Sequence, residues 1–181
     1  MNDVQAPTQR SRYEELQSVI SEYGTAAFQN LIRCQGLAAA IVDGFAAFEG
    51  CERAAVNVVP PDGEFDPHRD YGHDAFSFSN RQVVILEPVR FGISLIVGNV
   101  EDAGALWLRT ALAIELTANH FDVFVSAQPK VNIPLEYADK LDPIFAAIHK
   151  EFVETFASEV REFNDARFKH GIGFIPARQD P

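Results

Sequence analysis

The sequence predicts an α+β fold: an N-terminal helical region and a long C-terminal amphipathic helix packed on a four- to five-stranded antiparallel meander. Three observations carry this. Apolar residues recur at spacings of three and four over the first fifty residues and again after Asp142, the period of a helix that buries one face. Between these regions the apolar residues alternate with a period of two, as in half-buried strands. The alternating segments are joined by connections too short for the crossovers that parallel strands require, so successive strands run antiparallel.

The chain has 181 residues, which fits a single domain spanning 1–181 with a core of its own. Residues 1–10 are polar and read as a frayed end. Ser11 and Glu14 have capping-box spacing, so a helix starts there. Leu16, Val19, Ile20, Tyr23, Ala27, Leu31 and Cys34 form one stripe, Leu37, Ile41, Phe45 and Phe48 resume it, and Gly50 stops it. Gly24, Gly36 and Gly44 each cost up to about 1 kcal/mol relative to Ala inside a helix. That predicts a break near Gly36 and two helical pieces, 11–34 and 37–49.

Residues 54–59 are short and β-prone, and Pro60 and Pro61 end them. An acidic loop occupies 62–75. Phe76, Ser77, Phe78 and Ser79 alternate, and 83–86 is an apolar run closed by Glu87 and Pro88. Phe91, Ile93, Leu95 and Val97 then alternate with Arg90, Gly92, Ser94 and Ile96. After a turn-like stretch at 99–104, Leu106, Leu108, Leu112, Ile114 and Leu116 keep the period of two in 105–116, with Thr110 filling the gap. Trp107, Arg109 and Glu115 take the opposite face of that strand, where Arg109 suits binding an anionic ligand, stacking on Trp107, or pairing with Glu115 or another acid. Residues 117–120 are turn chemistry, and 121–127 is a further strand. Asp142 and Pro143 suit an N-cap and first helical position. Ile144, Phe145, Ile148, Phe152, Phe156, Val160 and Phe163 make the stripe of a helix of about six turns ending before Gly171. This stripe is expected to bury against Phe91, Ile93, Leu95, Leu108 and Leu112.

The net charge is −11, with acids spread along the chain. Phosphate contacts need a basic face, so nucleic acid is not an expected partner. Cys34 and Cys51 lack CxxC spacing and read as free thiols of a reducing compartment. The N-terminal stretch has no apolar h-region, and no uninterrupted apolar run approaches the ~18 residues of a membrane span. A cytoplasmic chain without a membrane partner is therefore expected.

The densest group of chemically capable side chains is DGEFDPHRDYGHDAFSF at 62–78, in which His68 and His73 sit among five carboxylates. His68 and Asp70 form an HxD pair. With His73 and the distant His120 they supply the ligand types of a facial metal site, the basis of an alternative reading as a metal-dependent enzyme. Against this, the architecture lacks a barrel wall, and the spacing is not a zinc signature. An exposed, mobile loop with no cofactor is the expected state, because its carboxylates repel one another. No phosphate loop or nucleophile elbow occurs. The leading expectation is a non-enzymatic binding or adaptor protein with a protein partner, including itself as a homodimer. The small-residue segment around Leu37 and Ile41 is one expected contact. The tail around Phe174 folds back on the core or docks on a partner.

Overall fold

The computed structural model describes residues 11–79, 81, 85–98, 105–162 and 173–175. Its elements are α1 (Arg12–Glu49), β1 (Val56–Val59), β2 (Val89–Gly98), β3 (Ala105–Leu116), β4 (His120–Val125), β5 (Val131–Pro134), α2 (Asp142–Glu162) and β6 (Gly173–Ile175). Residues 1–10, 82–84 with the first two residues of the apolar run, the turn at 99–104 and the region 163–172 with Phe163 lie outside the described residues.

The first helix starts where the capping box places it. Ser11 Oγ accepts from the Glu14 amide at 3.1 Å, and Glu14 Oε2 accepts from the Ser11 amide at 2.7 Å. The helix then runs unbroken for 38 residues and ends at Gly50, whose φ of 68° suits a left-handed cap. The expected break at Gly36 is absent. One of the three glycines serves packing instead: a Cβ at Gly44 would lie 2.3 Å from Phe145 Cζ, whereas one at Gly36 would make only ordinary contact with Tyr137 Oη at 3.4 Å. At Gly44 the close approach of α2 outweighs the helical cost of glycine.

Strands β1 to β5 pair in chain order, every pair antiparallel, as the short connections from β2 to β5 require. Residues 105–116, whose Ala and Leu content also suits a helix, are the long central strand β3. One edge of β3 pairs with β2 along ten positions; the other pairs with β4 at Leu112–Leu116 and with β6 at Ala105–Trp107. The β6 pairing shows that the C-terminal backbone returns to the sheet. The stretch at 76–79 is a turn rather than a strand. Phe76 stacks on Phe78 at 5.3 Å and tilts against Phe91 at 5.4 Å, so its alternation records aromatic packing.

Register assigns the sheet two unlike faces. Val56, Phe91, Ile93, Leu95, Leu108, Leu112, Ile114, Phe121, Val123, Val125 and Ile133 are buried in one cluster with Leu37, Ile41 and Phe45 of α1 and Ile144, Phe145, Ile148 and Phe152 of α2. The core expected for the C-terminal stripe is thus present, with Phe156 partly buried at its margin. Thr110 shares the apolar row, and its buried hydroxyl has no partner among the described residues. The other face carries Arg90, Ser94, Trp107, Arg109, Glu115, Asp122 and Phe124.

One sequence expectation needs refinement. An 18-residue window of α1 has a mean hydropathy of 1.4, so by length and composition the helix is able to cross a membrane. Of that window 44% is buried inside the protein. The buried residues of α1 run from Ala27 to Ala46, and sheet and α2 side chains join them in the core.

Candidate functional site

The acidic loop is tied down along its length. Arg109, on the sheet face away from the helices, donates through Nη1 to the carbonyls of Pro60 at 3.2 Å and Gly63 at 2.9 Å. Its guanidinium lies 4.6 Å over the Phe65 ring, and Phe65 meets Trp107 edge-on at 4.7 Å. Burial lowers the pKa of Arg109 from its ordinary value, with Asp62 opposing. The loop backbone and Phe65, not Glu115 or Trp107, are therefore its partners. Further along, Asp66 Oδ1 accepts from the His68 amide and Asp70 Oδ1 from the Gly72 amide, both at 2.9 Å. Asp74 Oδ1 accepts from the Ser79 hydroxyl at 2.7 Å. Three carboxylates thus serve the loop's own donors. His68 and His73 are exposed as expected.

The four candidate ligands do not converge. Gln35 Nε2 of α1 donates to His73 Nδ1 at 2.9 Å, and Asp70 is taken by Gly72. His120 stands on β4, where its Nε2 lies 2.9 Å from Asp122 Oδ1. Lys130 Nζ donates to Asp122 Oδ2 at 2.8 Å, and Asn132 Nδ2 to Oδ1 at 2.6 Å. The Lys130 hydrogen bond holds the Asp122 carboxyl below its ordinary value, against its desolvation. Sequence reading missed this cluster because only the register of β4 and β5 brings Lys130 and Asn132 beside Asp122. Among the described residues no three His, Cys, Asp or Glu side chains are placed to share a metal ion. Both cysteines are free, and burial pushes the Cys34 thiol up to about 12, an unreactive state.

An open groove of about 790 Å³ lies on the helix-free face between Pro60, Phe76 and Phe124. Its charges are mixed, with Arg81 spent on Glu87 and Asp74 on Ser79. A second groove of about 410 Å³ separates α1 from the loop at Gln35, Arg53 and His73, and there Arg53 pairs with Asp43 at 2.6 Å.

The surface with the least internal cover is the N-terminal half of α1. Leu16, Val19, Ile20 and Tyr23 belong to the same helical face as Ala27, Cys34, Leu37 and Ile41, yet they are 44% to 69% exposed. The helix runs past the rest of the fold, and its core-facing stripe continues without a core. Tyr23 accepts a single bond from the Leu86 amide, at 2.9 Å. The expected contact residues must be corrected accordingly. Leu37 and Ile41 are fully buried within the chain, because the small residues around them let α1 settle onto the sheet. Phe174 lies in β6, whose backbone pairs with β3 opposite Leu106. The stripe itself was visible in the sequence, but the point at which the sheet stops beneath it was not. Comparison with protein families, with curated proteins and with solved structures finds no match to this chain.

Proposed function

We propose that this chain is a non-enzymatic binding protein that engages a protein partner through the N-terminal half of α1. The observation that carries the reading is the continuation of the core-facing stripe beyond the core, at Leu16, Val19, Ile20 and Tyr23. Contiguous exposed apolar surface of this kind marks interaction sites in folded proteins. An amphipathic helix offering anchors at i, i+3, i+4 and i+7 is a recurrent binding element. The capping box supports the same use, because it holds the first turn in shape at the end farthest from the core.

The test is a photo-crosslinking amino acid in place of Ile20, with a second variant carrying it in place of Glu22 on the polar side. Expressed in the native cells, the Ile20 probe is expected to give discrete adducts and the Glu22 probe far fewer. Equal labelling from both positions, or none from either, overturns the reading.

A further inference from the structure

The chain carries a net charge of −11, yet the groove of about 410 Å³ between α1 and the loop is lined by Arg53, Arg69 and His73 with one carboxylate, Asp70. Each of the three is held in place and keeps hydrogen-bond donors to spare. Arg53 donates through Nε to Asp43 at 2.6 Å and through Nη1 to the Val56 carbonyl. Its guanidinium is thus fixed at two points, while Nη2 has no partner among the described residues. The Arg69 guanidinium lies 4.7 Å over the Tyr71 ring, and that ring is anchored because Tyr71 Oη accepts from the Asp66 amide at 2.8 Å. Among the described residues Arg69 has no carboxylate partner. Gln35 donates to His73 Nδ1, so the neutral ring carries its hydrogen on Nε2, which stays available. Asp70 gives Oδ1 to the Gly72 amide.

We infer that this groove binds the phosphate group of a small phosphomonoester. The site is separate from the α1 surface proposed for a protein partner, which ends at Tyr23. Guanidinium forks match phosphate oxygens in pairs, and stacking on Tyr71 presets the plane of one of them. Donors carried by separate segments, Arg53 before β1 and Arg69 and His73 on the loop, suit a tetrahedral phosphate with three terminal oxygens better than a planar carboxylate with two. Val58 and Phe76 line the same groove and offer apolar contact to the alcohol portion of the ligand. The volume lies within the range of small-molecule sites. Asp43 and Asp70 offset much of the local charge, so affinity rests on directed hydrogen bonds rather than on net charge, and a dissociation constant of about 1 mM or below is expected.

The test is titration of the purified full chain with phenyl phosphate, followed by backbone amide chemical shifts. Saturable shifts are expected around Gln35, Arg53, Arg69 and His73. Arg69→Gln is expected to weaken binding at least tenfold, since it removes a charged donor; because Arg69 is exposed, the fold should persist, as circular dichroism would show. Arg33→Gln, an exposed arginine outside this groove, is expected to leave the affinity unchanged. Benzoate is expected to bind at least tenfold more weakly than phenyl phosphate. No saturation by about 10 mM phenyl phosphate overturns the inference. So do shifts that map elsewhere, an unchanged affinity in Arg69→Gln, equal losses in the two arginine variants, or benzoate bound as tightly. None of these results bears on the α1 reading, because the Ile20 probe reports on a different surface.

Discussion

The two halves of α1 carry one apolar stripe of the same period and meet opposite fates. From Ala27 to Ala46 the stripe is buried against the sheet and α2; from Leu16 to Tyr23 the same face meets solvent. Periodicity therefore reports that a face is apolar, and what covers that face is decided by elements distant in sequence. The buried half draws its stability from Phe91, Leu112 and Phe145, all at least 45 residues away along the chain. The exposed half depends on helix propensity, its cap and whatever docks there. Isolated helical segments of about 15 residues are marginal in water, so the exposed half persists mainly because the buried half nucleates it.

The largest contrast is expected from truncating an apolar side chain in each half. Phe45 is fully buried and meets Phe145 at 6.3 Å and Phe152 at 6.1 Å. Phe45→Ala is expected to cost about 3–5 kcal/mol in a urea titration, through lost burial plus the cavity left behind. Ile20→Ala, measured at concentrations too low for association, is expected to change stability by no more than about 0.5 kcal/mol. Similar losses in the two variants would mean that the halves are equally covered and would dissolve the comparison.

Glycine sharpens it with a change of sign. Gly44→Ala places a methyl 2.3 Å from Phe145 Cζ and is expected to destabilise by roughly 1–3 kcal/mol through overpacking. Gly24→Ala meets open space and is expected to stabilise the isolated chain by up to about 1 kcal/mol, since alanine is the better helix former. Thermal melts of the two variants decide this. A destabilised Gly24→Ala monomer would reveal a contact over the exposed half.

The same pair of glycines shows how far the sequence could be read. Helix boundaries were legible because local chemistry sets them: Ser11 and Glu14 at one end, Gly50 at the other. The strands and the burial of the C-terminal stripe were legible because period and connection length limit the choices. Gly36 was misread as a break because the long helix around it is held by core partners distant in sequence, which outweigh the local cost of one glycine. Leu37 and Ile41 were misread as surface for the converse reason, since the chain's own sheet covers them. The candidate site was legible only as an apolar stripe. Its exposure depends on where β2 and its neighbours end. Among the described residues no three of His68, Asp70, His73 and His120 are placed to share a metal ion, and the loop's amides claim the Asp66 and Asp70 carboxylates.

The helix-free face of the sheet offers a control that leaves α1 untouched. Lys130 holds the pKa of Asp122 below its unfolded value, with His120 adding a smaller effect in the same direction. A carboxyl depressed on folding contributes stability that is fully present above its unfolded pKa. That contribution is lost as pH falls through the folded pKa, below about pH 4. Asp122→Asn is expected to remove this part of the acid limb at a cost of at most about 1 kcal/mol near neutrality. Melting temperatures from pH 7 to pH 3 read it out, and an acid limb that stays as steep in the variant would show that other carboxylates set it.

The smallest global effect is expected at the far end of α1, where it separates local from cooperative stability. Ser11→Ala removes the hydroxyl that accepts from the Glu14 amide, a loss that typically costs a helix about 1 kcal/mol. At the end of a fully packed helix that cost would appear in global unfolding. Here the first turns contribute little to the core, so the variant can fray locally while the rest of the molecule stays folded. The urea midpoint is expected to move by an amount within error. Amide exchange is expected to quicken several-fold at residues 14–20 and to stay unchanged at residues 37–46. A Ser11→Ala midpoint lowered by a full kcal/mol would instead place the exposed half inside the cooperative unit, making the two halves of α1 one thermodynamic object.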